Sequence, residues 1–253
     1  MKRPTGQLTL TTLLSVSVLY ATCLAGPARA QESSTPARLA LFPSEVVSPG
    51  TLQLQAGTSY ANTSTDETFR IGRMVLRYGV GPVELQTEPG SYVVRWGGES
   101  YRGLEDLKFG MKASLFHSAG GTVRVSGQGT LTVPTGAAEI TLGNPNITLS
   151  AMADIAIADG LLLSTSLDWY SPHFAGDESW TISLFPGMAV PFFSGGAALG
   201  WSGHLDDGSL DSTFLAALFM ELDQGTALEM SAGRNLETPA VFIGMRVFRL
   251  LTH

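Results

Sequence analysis

The sequence predicts an all-β chain: a closed antiparallel transmembrane β-barrel of about twelve strands, of the outer-membrane type. Three observations carry that expectation. After residue 50 the chain resolves into segments in which apolar and polar residues alternate, the period of a sheet with two chemically different faces. Each segment is about ten residues long, the length a strand tilted ~45° needs to cross hydrocarbon. The links between segments alternate between tight turns and longer polar loops, as they must when all turns of one kind fall on one side.

The first strand sets Leu52, Leu54, Ala56, Thr58 and Tyr60 against Gln53, Gln55 and Ser59, and a polar loop follows at 61–68. The second, Phe69 to Val80, places Met74, Leu76 and Tyr78 opposite Arg73, Val75 and Arg77, and Gly79-Val80-Gly81-Pro82 turns it. The third runs from Val83 to Trp96, and a bulge at Pro89-Gly90 would exchange its faces. After a loop at 97–102, the fourth sets Leu107, Phe109, Met111, Ala113 and Leu115 against Lys108, Gly110, Lys112 and Ser114. Thr122 to Val133 and Ile147 to Ile157 follow, separated by a loop that begins Pro134-Thr135-Gly136. Ala158-Asp159-Gly160 is a hairpin signal leading to Leu161, Leu163, Thr165, Leu167 and Trp169. The remaining strands are Trp180–Ala189, Ala197–His204, Ser212–Leu222, Thr226–Arg234 and Ala240–Leu250. Tight links at 79–82, 117–121, 158–160, 190–196 and 223–225 then share one end. Longer loops at 61–68, 97–102, 134–146, 170–179, 205–211 and 235–239 share the other.

The N-terminus reads as a secretory signal over residues 1–30. Lys2 and Arg3 precede the uncharged stretch Leu8 to Leu24, and Ala28-Arg29-Ala30 supplies a cleavage site. Residues 31–50 are polar and punctuated by proline, as a periplasmic tail or an internal plug would be, and residues 51–253 form the barrel. Cys23, the one cysteine, lies within the signal, so the barrel has no disulfide staple. Removal of residues 1–30 takes Lys2, Arg3 and Arg29 and no acid; 15 minus 3 leaves 12 basic residues against 22 acidic, a net charge of −10. That balance excludes a nucleic-acid partner and a basic face for anionic lipid. Thr181 to Gly203 is long and uncharged, but Pro186 and Pro191 inside it, with four glycines, exclude a transmembrane helix. A soluble β-sandwich or lipocalin-like barrel would show the same alternation, with the apolar face turned inward.

Four groups of residues resemble a known family. They are Leu76-Arg77-Tyr78-Gly79-Val80 leading to Val83-Glu84-Leu85; Gly103-Leu104-Glu105-Asp106-Leu107 with Gly110-Met111-Lys112; Val133-Pro134-Thr135-Gly136; and Phe242-Ile243-Gly244-Met245-Arg246. Their order and spacing, from about residue 50 onward, resemble the outer-membrane barrel family of transporters and of proteins assigned to the meta-cleavage pathway of phenol degradation. The resemblance implies a transporter and, among its solutes, hydrophobic or aromatic compounds.

On this register the polar face collects Arg73, Arg77, Lys108, Lys112, Arg124 and Arg246, with Glu84, Glu88, Asp154, Asp168, Glu221 and Glu229. Two readings stand side by side. The charges form an ion-pair network that lets a narrow barrel hold them, because unpaired buried ions are costly. Alternatively the basic groups line a path for anionic or aromatic-acid solutes. Trp96, Trp169, Trp180 and Tyr170 fall near strand ends on the long-loop side, as an aromatic girdle would. His173 and His204 share a rim with Ser171, Asp177, Asp206 and Asp207, whereas His117 and His253 lie elsewhere. The sequence holds no nucleophile elbow, phosphate loop or paired metal-ligand spacing. It therefore predicts no enzyme, no cofactor and no metal, with a hydrolase as the third alternative. The leading expectation is a channel for small solutes in the bacterial outer membrane, partnered by lipid and by the outer-membrane assembly machinery. A sealed structural or ligand-binding barrel is second.

Overall fold

The computed structural model describes residues 44–251 except 99, 142, 160, 173–178, 190–194 and 207–208. Residues 1–43, with the expected signal and most of the tail, lie outside the described residues, as do His173, Asp177, Asp207, His253 and most of the 190–196 turn.

One antiparallel sheet contains β1 (Leu52–Asn62), β2 (Asp66–Val80), β3 (Val83–Glu88), β4 (Tyr92–Gly97), β5 (Tyr101–Leu104), β6 (Leu107–His117) and β7 (Val123–Val133). It continues through β8 (Asn146–Ala158), β9 (Leu161–Pro172), β10 (Ser179–Ala189), β11 (Gly195–Asp206), β12 (Ser209–Asp223), β13 (Thr226–Asn235) and β14 (Val241–Leu251). Pairing of β1 with β14, from Leu52↔Leu251 to Asn62↔Val241, closes the sheet on itself. β2 is long enough to pair with β3 through Leu76–Val80 and with β4 through Asp66–Ile71. Thus β3 with β4 makes one wall element, β5 with β6 makes another, and the wall has twelve crossings.

Both breaks have local causes. Pro89 cannot donate to the ladder. At Gly90 a methyl group would lie 1.9 Å from the Glu105 carbonyl oxygen, so the two breaks touch through a position that only glycine can fill. The first break exchanges the faces as expected. Leu85 is exposed on the outside before it, and Tyr92 and Trp96 after it, while Glu84 and Val93 are buried inside. A second exchange was not foreseen: β2 is bulged around Gly72, whose φ is +68°, so Arg70 joins Arg73 and Arg77 on the inner face. The fourth crossing also starts earlier than expected, because Tyr101–Leu104 pairs with β4 and shortens the 97–102 loop.

The two faces are the reverse of a soluble protein's. Met74, Tyr78, Leu85, Phe109, Met111, Leu149, Leu167, Met230, Ile243 and Met245 are exposed on the outside. Gln53, Arg77, Glu84, Lys112, Asp154 and Glu229 are buried on the inside. A closed antiparallel sheet with an apolar exterior satisfies its own backbone and fits hydrocarbon, which removes the lipocalin-like alternative.

Candidate functional site: a charged lumen

The tight-turn end, which faces the periplasm in this class of barrel, contains the most buried charges. Strand pairing brings Gln53 beside Arg77, and Glu84 beside Lys112. Arg77 grips Glu84 with both arms of its fork, Nε to Oε1 at 2.6 Å and Nη2 to Oε2 at 2.8 Å, and donates from Nη1 to Gln53 Oε1 at 2.7 Å. Lys112 Nζ lies 3.7 Å from Glu84 Oε2. Side-chain exposures of 6 % for Arg77, 0 % for Glu84 and 3 % for Lys112 place all three out of reach of water. Across the wall, Arg124 and Asp154 are register partners.

The cover over these charges is the chain's own Ser44–Gly50. Lys112 Nζ donates to the Glu45 carbonyl oxygen at 2.6 Å and Arg77 Nη2 to the same oxygen at 3.3 Å. Arg124 Nη1 donates to the Glu45 carboxylate at 3.2 Å. The Val47 N–H donates to Glu84 at 2.8 Å, and the Ser44 N–H and hydroxyl both donate to Asp154. Val47, 1 % exposed, is the apolar anchor. Residues 31–50 were expected as a periplasmic tail or an internal plug; the described part, Ser44–Gly50, lies against the inner face. It covers the four residues Arg77, Glu84, Lys112 and Asp154 that were expected to line an open lumen: they are buried beneath it, because carboxylates and cations this close need every donor and acceptor matched.

A second belt lies toward the middle of the wall. Arg73 Nε donates to Glu88 at 2.9 Å, Lys108 Nζ lies 3.8 Å from the same carboxylate, and Arg246 Nη2 donates to Glu229 at 2.6 Å. Gly57 separates Arg73 from Arg246 in the register. A methyl group there would lie 2.7 Å from Arg246 Cγ, so the missing side chain makes room for the arginine. Here the cations remain accessible: the side chains of Arg73, Lys108 and Arg246 are 47 %, 38 % and 42 % exposed. The belt carries three cations against two carboxylates. The adjoining inner wall of β11–β14 carries buried Phe219, Ala198, Ala217, Ala227 and Phe248, and the Arg246 guanidinium lies 5.7 Å from the centre of the Phe248 ring.

At the long-loop end, the segment after β7 folds back over the inner face. The Gly136 N–H and the Thr141 hydroxyl donate to the two oxygens of Asp106 at 2.8 and 3.0 Å, and the Ala137 N–H donates to the Leu104 carbonyl at 2.9 Å. Ala137 sits over Gly103, where a methyl would lie 2.4 Å from the Ala137 Cβ. The two motifs Gly103-Leu104-Glu105-Asp106 and Val133-Pro134-Thr135-Gly136 are therefore the halves of one latch. Beneath it Arg70 Nε donates to Glu105 at 2.9 Å, and the buried Ser91 hydroxyl holds the other Glu105 oxygen. Removing the latch acceptor by Asp106→Ala is expected to free the loop at 134–145. Limited proteolysis should then cut there at least tenfold faster, the ratio that loss of about 1.4 kcal/mol of local stability produces.

The remaining expected residues are placed as follows. Asp168 is on the inner face, accepts from Ser166 at 3.0 Å and pairs in register with Thr181. Glu221 shares the inner side with Phe219 at the tight-turn end. His204 Nδ1 lies 2.8 Å from the Thr181 hydroxyl, and Arg124 Nε donates to His117 at 2.9 Å. Trp96, Trp169 and Trp180 are on the outside, with Trp169 and Trp180 directly paired. Tyr170 departs from the girdle, because its partners Thr148 and Ser179 are on the inner side. Glu45, Gln53, Arg70, Glu105 and Asp106 were not among the expected site residues. Alternation marked Gln53 as inward, but nothing in the pattern gave it or the others a partner.

The fold and its lumen define the class of outer-membrane barrels to which channels and porins belong. Within that class the family described as "Putative MetA-pathway of phenol degradation" matches residues 41–248, and the chain belongs to it. An outer membrane channel from Pseudomonas putida F1 is similar in structure, with 16 % identity and a TM-score of 0.64 over 82 % of this chain and 98 % of that one. The KdgM porin in complex with disordered oligogalacturonate is similar with 11 % identity and a TM-score of 0.53 over 79 % and 99 %. The NanC porin follows with 7 % identity and 0.51 over 79 % and 99 %. No curated protein sequence matches the chain.

Proposed function

We propose that the protein is a channel of the bacterial outer membrane for small solutes, in which the lumen charges act as electrostatic lining and carry out no covalent chemistry. The observation that carries this reading is the accessible middle belt: Arg73, Lys108 and Arg246 keep between a third and a half of their side chains open on the inner wall. Charges serving only to stabilise a sealed barrel would be expected to be covered, as those at the tight-turn end are. An excess of cations beside buried apolar side chains, Phe248 next to Arg246 among them, suits small organic anions, aromatic acids included. The family description, which refers to phenol degradation, supports aromatic compounds as the class. In this reading residues 1–30 direct export, the assembly machinery inserts the barrel, and the bilayer lipid is its lasting partner.

The test is single-channel conductance of the refolded protein in planar bilayers, with heat-modifiable gel mobility as the folding control. Discrete openings with anion preference are expected. In the double variant Arg73→Gln/Lys108→Gln the belt loses two of its three cations, and the reversal potential in a salt gradient should move toward cation preference. A folded barrel that passes no current in any form would favour the sealed alternative, which the covering segment at 44–50 supports.

A further inference from the structure

We propose that Arg77, Lys112 and Arg124 form a carboxylate-binding seat, occupied at rest by the chain's own Glu45, and that a carboxylate-bearing solute opens the barrel by taking that seat. The inference rests on the channel reading for its consequence, whereas the seat itself stands on the geometry around Ser44–Gly50.

The segment is built as a removable occupant. Its contacts with the wall are almost all polar: carbonyl and carboxylate oxygens on three cations, and N–H or O–H groups on Glu84 and Asp154. Each such contact can be exchanged for one with water or with a solute oxygen, and the net difference is small beside the gross strength of the bond. Val47 alone anchors it by apolar burial. Where the segment leaves the lumen it passes through Gly50, whose φ of +76° only glycine adopts freely and which has open space around it. That is a hinge two residues before the wall begins at Leu52.

The wall carries a matching notch. A methyl group at Gly79 would lie 2.2 Å from the Ser48 carbonyl oxygen and 2.3 Å from that of Val47. Gly79 sits in β2 opposite Glu84, where the ladder itself would accept any side chain. Its bareness is explained by the segment that crosses it, joined to it by the Gly50 N–H to Gly79 carbonyl bond at 2.9 Å.

The chemistry of the occupant identifies the ligand. Lys112 and Arg77 donate to the main-chain carbonyl oxygen of Glu45 at 2.6 and 3.3 Å and Arg124 to its carboxylate, so three cations converge where a solute carboxylate could bring both of its oxygens. The middle belt repeats part of the arrangement: Arg73 and Lys108 flank Glu88, as Arg77 and Lys112 flank Glu84. A carboxylate entering from the long-loop end would meet the accessible pair first and the occupied seat second.

The test reads the segment directly. In a Cys23→Ala background, Val47→Cys supplies a single thiol at a position 1 % exposed. The barrel is reconstituted in vesicles, and maleimide labelling is timed with benzoate, with benzamide as the neutral analogue of the same shape, and with neither. Slow labelling is expected at rest, rising about tenfold with benzoate and not with benzamide, as a ligand binding the open state better requires. Gly79→Ala in the same background should label fast without any ligand. Should the notch variant fail to fold, Glu45→Ala, outside the wall, removes the carboxylate that Arg124 holds and should label faster than the Val47→Cys parent without any ligand. Fast labelling at rest overturns the seated segment. A rate indifferent to benzoate, while Gly79→Ala or Glu45→Ala labels fast, overturns the carboxylate exchange. Conductance on the same preparations separates the channel reading: a variant that labels fast and passes no current defeats that reading and leaves the seat standing.

Discussion

Glu84→Ala is expected to destabilise the barrel by roughly 3–5 kcal/mol, the cost of breaking a buried charge network from one side. The carboxylate is fully buried, accepts both arms of Arg77, lies within reach of Lys112 and holds the Val47 N–H. Its removal leaves Arg77 and Lys112 facing each other without the carboxylate they share. Urea unfolding of the reconstituted barrel, followed by heat-modifiable gel mobility, measures the loss. The double variant Glu84→Ala/Arg77→Met should regain part of it, because it also removes the buried cation that loses most when Glu84 goes, while Lys112 keeps its bond to the Glu45 carbonyl. A loss below ~1 kcal/mol would mean that water hydrates Arg77 and Lys112 in the variant, and hence that the covering segment has left its seat.

How far this could be seen in the sequence follows from what alternation encodes. A period of two fixes which residues share a face. Glu84 with Lys112, Arg124 with Asp154 and Glu229 with Arg246 each meet across a ladder, as residues of one face must, and Glu88 meets Lys108 because the face exchange begins only after it. Alternation cannot see a bulge without a marker. Pro89-Gly90 announced one, whereas the bulge at Gly72 stands in an otherwise regular run, and Arg70 was assigned to no face. Nor does alternation say what fills a lumen. Ser44 to Gly50 has no periodicity at all, and its seat is made by side chains 32 to 110 positions away, from Arg77 to Asp154. The latch was invisible for a similar reason. Both of its motifs were noted, but their contact depends on Gly103 and Gly136 giving way to Ala137 and Leu104, a matter of closeness in space.

Met111→Arg and Lys112→Ala test the barrel as a whole, because they change neighbouring residues on opposite faces. Met111 is 56 % exposed among Phe109, Leu85 and Leu115, the outward neighbours of mid-β6, where the surrounding medium is hydrocarbon. An arginine near the bilayer midplane should cost ~2–4 kcal/mol of insertion stability. It has no acidic partner on that face in the register, since Leu85 and Gly129 are its cross-strand neighbours. Lys112→Ala leaves the Arg77–Glu84 pair in place and removes a donor from the Glu45 carbonyl, so its effect falls on the lumen: the covering segment loosens and the barrel still inserts. Folding titrations into lipid vesicles measure the first effect, and thiol labelling at Val47→Cys measures the second. Equal insertion stability for the two variants would reject the register on which every contact in the lumen depends.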